Sequence, residues 1–154
     1  MERSFAMLKP DCAQRGLLGK VISRFEEKGL KVIACKMLKM DEKMCREHYA
    51  HHAQKPFFPR LVKFMASAPV LCMIVEGKEA VEIVRAMCGA TNSRAAAPGT
   101  IRGDFGMSVQ SNIIHTSDSK ETAEKEIVRF FKKEEIYEYE KIDYEMIYAE
   151  DERE

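Results

Sequence analysis

The chain has 154 residues, the size of one domain and enough to bury a core. Its 25 basic and 25 acidic side chains cancel, so total charge gives no reason to expect nucleic acid or an anionic membrane as the main partner. Five cysteines without a CxxC pair, an N-terminus MERSFAMLKPD without a secretory apolar core, and no apolar run near the roughly 20 residues of a membrane span predict a reduced, cytoplasmic protein.

Residues 4–8 (SFAML) predict a strand that stops at Lys9 and Pro10, because proline lacks the amide hydrogen a ladder needs. Over 17–28 the spacing of Leu18, Val21, Ile22 and Phe25 predicts a helix with Gly29 as its cap. KVIACKMLKM (31–40) predicts a second strand, in which Cys35 packs as a small hydrophobe, as does Cys72 further on. Two short helices follow, DEKMCREHYAHH and FFPRLVKFMAS, then VLCMIVEG, an unbroken apolar run typical of a strand covered on both faces. A helix is expected over about 78–88 and an irregular segment over 89–106. NIIH (112–115) predicts a last strand, with Asp118 and Glu121 spaced as a capping box for a helix over about 120–131. The order is βαβ, a helical insertion, βαβ and a closing helix. That fits an α+β, ferredoxin-like βαββαβ core better than a doubly wound sheet. One domain over 1–148 and a frayed acidic tail, AEDERE, over 149–154 are expected.

Polar residues at apolar positions mark candidate chemistry. Ala123, Glu126, Ile127 and Phe130 share one helical stripe, so a carboxylate faces the core and needs a partner. His115, at the end of the preceding strand, is within its reach. Two readings are open: a carboxylate holding one ring nitrogen so that the other can attack, or an ordinary polar junction with a stripe edge that grazes solvent. Arg85 repeats the pattern among Val81, Val84 and Cys88, aimed at GATNSRAAAPGTIRGDFG. That segment's glycines, threonines and arginines have the chemistry of phosphate binding. Lys9 either enters a site or snorkels to solvent. Phe57 and Phe58 offer a ring for base stacking or for the core. His48, His51 and His52 read as solvated, because they lack the HExxH arrangement of a zinc site, and no metal ligand set is predicted. GLLGKV is too short for a P-loop, and no GxGxxG opens a helix.

Taken together, KPD at 9–11, RGLLGKVISRFEEKGL, KPFFPRLVKFM, GATN, APGTIRGDFG and NIIHTSDS followed by AEKEI resemble the nucleoside diphosphate kinases over about residues 2–148. The resemblance implies an antiparallel sheet and a ping-pong transfer of the γ-phosphoryl group from a nucleoside triphosphate to a diphosphate, with broad base acceptance. By motif position His115 would be the nucleophile, Glu126 would orient its ring, and Ser117 would join that network. Lys9, Tyr49, Arg85, Thr91, Arg102 and Asn112 would surround the phosphates and ribose, and Phe57, Leu61 and Val109 would hold the base. Mg2+ would ride on the nucleotide phosphates. A homo-oligomer is implied, a hexamer before a tetramer or dimer. Thr116, Cys12 and Ser93 depart from the family's usual residues without removing a catalytic group. A non-catalytic nucleotide sensor on the same fold would lack the histidine or its helpers, and a nucleic-acid-binding domain of this topology would carry stacking aromatics on its central strand, which VLCMIVEG does not.

Overall fold

A computed structural model describes residues 1–153. Four strands, β1 (Glu2–Leu8), β2 (Lys31–Leu38), β3 (Val70–Gly77) and β4 (Ile114–Thr116), form one sheet in the order β2-β3-β1-β4. Every neighbouring pair is antiparallel. Strands β1 and β2 therefore run parallel with β3 between them, and β3 and β4 run parallel with β1 between them. These are the interleaved split βαβ units of the ferredoxin-like fold, as the sequence predicts.

The unbroken apolar character of β3 follows from burial on both faces. Leu71, Met73 and Val75 join Ala6 and Leu8 of β1 beneath α2 (Leu18–Glu27) and α5 (Ala80–Cys88). Val70, Cys72 and Ile74 join Phe5 and Met7 on the other face, under α3 (Glu42–His48), α4 (Phe58–Met65) and α7 (Lys120–Phe130). Alternation along each strand sorts side chains to the two cores. The helix ends use local chemistry: Gly29 takes φ 95° just past α2, and Asp41 Oδ1 accepts the Met44 N–H at 2.8 Å to cap α3.

Several sequence expectations change. Pro10 does not merely end a strand; it opens α1 (Pro10–Gln14), where its missing N–H costs nothing. The segment 89–106 contains a 3-10 turn at Ser93–Ala95 and α6 (Ile101–Phe105), capped by Thr100. Ser119, not Asp118, caps α7, its hydroxyl accepting the Thr122 N–H at 3.1 Å. Cys35 is exposed, because β2 is an edge strand whose outer face is only partly covered. The tail is not frayed through Arg153: Glu150–Glu152 form a 3-10 turn and Arg153 Nε donates to the Tyr148 carbonyl at 2.9 Å, while Glu154 lies outside the described residues. Beyond α7, α8 (Tyr144–Ile147) packs its Ile147 against Gly29.

The expected strand over 112–115 is the most consequential change. Only Ile114–Thr116 pair with β1, and Ile113 has φ 75°, which no strand residue adopts. Its own β-branch and that of Ile114 give the wrong signal at this one position.

Candidate active site

Strand β4 brings His115 opposite Met7, on the face covered by α7. One helical stripe of α7 then delivers Glu126, which is 4% exposed. Its Oε1 accepts from His115 Nε2 at 2.7 Å, and its Oε2 accepts from the Ser117 hydroxyl at 2.6 Å. A carboxylate acceptor fixes the proton on Nε2 and leaves Nδ1 as the unengaged nitrogen with a lone pair. The residue pattern could not say which nitrogen is free; the geometry does.

His115 lines a cavity of about 640 Å³. Lys9, Tyr49, Phe57, Leu61, Arg85, Thr91, Arg102, Val109 and Asn112 line it too, so the cavity gathers every expected site residue except Glu126 and Ser117, which stand behind the histidine. Among the described residues no carboxylate lines it. A separate cavity of about 570 Å³ lies against the C-terminal segment, but its Lys31 and Glu76 are ion-paired at 2.6 Å, and no histidine, cysteine or serine is among the described residues that line it.

The polar groups at the histidine end are tied to one another. Lys9 Nζ donates to Asn112 Oδ1 at 2.7 Å, and Asn112 Nδ2 donates to the Thr91 carbonyl at 2.9 Å. Lys9 thus enters the site rather than snorkelling, and burial, aided by Arg102, pushes its ammonium down to about 8. Arg102 donates to the carbonyls of Gly89, Ile114 and Asn112, so it clamps the loop and β4 while facing the cavity. Arg85, at the end of α5, is exposed beside them. Tyr49 is buried, its ring 6.1 Å from that of His115, and burial pushes its phenol up so that it stays protonated.

His48 overturns the expectation of a solvated residue. It is 5% exposed, edge-on to His115 with ring centroids 4.4 Å apart, and its Nδ1 lies 3.7 Å from Glu126 Oε1. Burial first, and the nearby His115 second, push its pKa down to about 2, so it is a neutral wall of the site. Cys45, His48 and Tyr49 share an i, i+3, i+4 stripe, the same signal that exposes Glu126, and reading it in α3 would have found this residue. His52 also reaches the cavity, packed edge-on against Phe57 at 5.2 Å, whereas His51 stays exposed at the rim.

The sequence profile of the family described as nucleoside diphosphate kinase matches residues 2–136. Among curated relatives, the chain is 55% identical to the nucleoside diphosphate kinase of Archaeoglobus fulgidus over 97% of this chain and 99% of that one. It is 53% identical to that of Pyrococcus furiosus over 90% of this chain and 88% of that one. Among solved structures it is similar to the Halobacterium salinarum nucleoside diphosphate kinase in complex with CDP, with TM-score 0.93, 45% identity and coverage of 96% and 98%. The apo enzyme of Encephalitozoon cuniculi gives TM-score 0.91, 45% identity and coverage of 96% and 100%.

Proposed function

Since the chain belongs to the nucleoside diphosphate kinase family and moves phosphoryl groups between nucleotides, we propose that His115 Nδ1 carries the group in transit. The observation that carries this reading is the Glu126 carboxylate on Nε2, with the other nitrogen left unengaged in a cavity ringed by cations. The Nδ1 lone pair attacks the γ-phosphorus, the bond to the bridging oxygen breaks, and the nucleoside diphosphate leaves with that electron pair. Glu126 stabilises the positive charge that builds on the ring. A second diphosphate then attacks the phosphohistidine and reverses the steps, so one site serves donor and acceptor.

Phosphoryl transfer needs positioning and charge neutralisation more than covalent help. Lys9, Arg85 and Arg102 supply cations at the histidine end, with Thr91 and Asn112 between them, and Tyr49 packs beside the ring. Phe57, Leu61 and Val109 hold the base by apolar contact, which every base can satisfy. Among the described residues the cavity wall offers no carboxylate, a donor set that suits Mg2+ carried on the phosphate oxygens of the incoming nucleotide. When bound, the ion neutralises phosphate charge. His48, His115 and Glu126 come within 4.8 Å of one another, but imidazoles and a carboxylate already bonded twice do not suit so hard an ion.

A homo-oligomer, hexameric by preference, is supported by exposed Met37 on the edge strand β2, an apolar side chain that a second copy of the chain can cover. Among the described residues no helix is long and apolar enough to cross a membrane. With five free cysteines this favours the cytoplasm as the working compartment. A sensor that binds nucleotide without turnover is the weaker reading, because the histidine and both of its helpers are present and bonded.

The test is incubation with γ-labelled ATP. Acid-labile label on His115, discharged by any nucleoside diphosphate, is expected, and His115→Ala should lose about four orders of magnitude of activity. Label on a serine, or label retained by the variant, would refute the assignment.

A further inference from the structure

Asn112 and His115 are three residues apart, and in an unbroken strand such residues point to opposite faces. Both nevertheless line the same cavity. The break that allows this is at Ile113, whose φ of 75° sits in a three-residue turn closed by the Ile114 N–H on the Asn112 carbonyl at 2.9 Å. Such a turn is rare and strained, the more so for a β-branched residue, and strain of this kind persists only where neighbours over-determine it. Ile113 is fully buried.

The neighbour that holds the turn is Asp11. Its Oδ2 accepts the Ile113 N–H at 3.0 Å, and two residues back the Lys9 N–H donates to the Ile113 carbonyl at 2.8 Å. The other carboxylate oxygen, Oδ1, is buried without a hydrogen-bond partner among the described residues. A carboxylate kept half-satisfied in the first turn of a five-residue helix is poorly explained by that helix alone.

Resting on the phosphohistidine reading, we propose that Asp11 is a positioning residue: by pinning the strained Ile113 peptide it places His115 Nδ1 in line with the phosphate-binding groups of Lys9 and Asn112. It touches no substrate. If the clamp is lost, Ile113 relaxes toward an extended conformation and the histidine shifts relative to Asn112, while the residues that bind the nucleotide stay in place.

Single-turnover phosphorylation of His115 and nucleotide binding, measured together on protein with verified folding, separate these effects. Asp11→Ala should slow phosphorylation by about a hundredfold, the scale of an ångström-level misplacement, with nucleotide affinity held within about threefold. Asp11→Asn keeps an oxygen acceptor for the Ile113 N–H and should stay within about fivefold of the parent rate, the smaller change expected when the hydrogen bond survives. Ile113→Gly adopts a positive φ without strain, so adding Asp11→Ala to it should cost far less than Asp11→Ala alone. Parental rates in Asp11→Ala, an equal fall in Asp11→Asn, or multiplying losses in the double variant would each overturn the proposal. Should Asp11→Ala fail to fold, the Asp11→Asn threshold decides. A parent chain that takes no label on His115 would instead refute the underlying reading, so the two failures are distinct.

Discussion

Glu126 engages both its oxygens, on His115 and Ser117, and Asn112 bridges Lys9 to the Thr91 carbonyl, whereas at the other end of the same cavity Phe57, Leu61 and Val109 offer only apolar surface. The histidine end is built from elements distant in the chain: β1, α5, α6, β4 and α7. The Phe57 end rests on α4 and one loop, with Val109 half exposed. On the proposed reading, reaction geometry is fixed by hydrogen bonds between distant elements, and base recognition is left to stacking, which discriminates little. A transferase that must accept many nucleotides at one nucleophile needs that division.

The contrast makes graded predictions. Glu126→Gln keeps the fold but no longer fixes the proton on Nε2, so single-turnover phosphorylation of His115 should fall by about a hundredfold. An unchanged rate would reduce Glu126 to a packing partner and dissolve the contrast. At the other end, Phe57→Ala should weaken transition-state binding by about 1 to 3 kcal/mol, equally for purine and pyrimidine substrates, as kcat/KM would report. A loss confined to one base would mean that this end reads edges after all.

Lys9 sharpens the comparison through pH. Its ammonium, pushed down to about 8 by burial and then by Arg102, is charged below that value and neutral above it. Nucleotide kcat/KM should be level below pH 8 and fall by up to about tenfold per unit above it. Lys9→Arg, which stays charged, should remove that bend even if it lowers the plateau. The smallest effect is expected at Thr116. It pairs with Ala6 on the face opposite His115 and lies by Cys88 of α5. Thr116→Gly should lower stability by about 1 kcal/mol through backbone entropy, with no change in base preference, as denaturant titration and kinetics with several diphosphates would show.

Much of the histidine end was legible because it breaks a pattern: Glu126 stands out as a charge within an apolar stripe, and β3 announces two covered faces by having no polar residue until Glu76. His48 was hidden by its neighbours, since α3 is charged around most of its circumference and only the Cys45, His48, Tyr49 stripe turns inward. Helix α1 was missed because proline ends strands and opens helices by the same lack of an amide hydrogen. The turn at Ile113 was beyond reach: isoleucine predicts strand, and nothing local to it reveals that Asp11, far away in the chain, holds its amide.

The pairing of β4 with β1 joins segments far apart in the sequence, Met7 to His115. Its closure entropy must be met before the short, three-residue ladder returns any stabilisation, and contacts of such long range form slowly. Strand β1 can pair with β3 while the chain is still incomplete, but His115 has no partner strand and no carboxylate until residues beyond Phe105 dock. Catalytic competence is thus expected as the last event of folding, so that recovery of activity after dilution from denaturant would time the completion of the sheet.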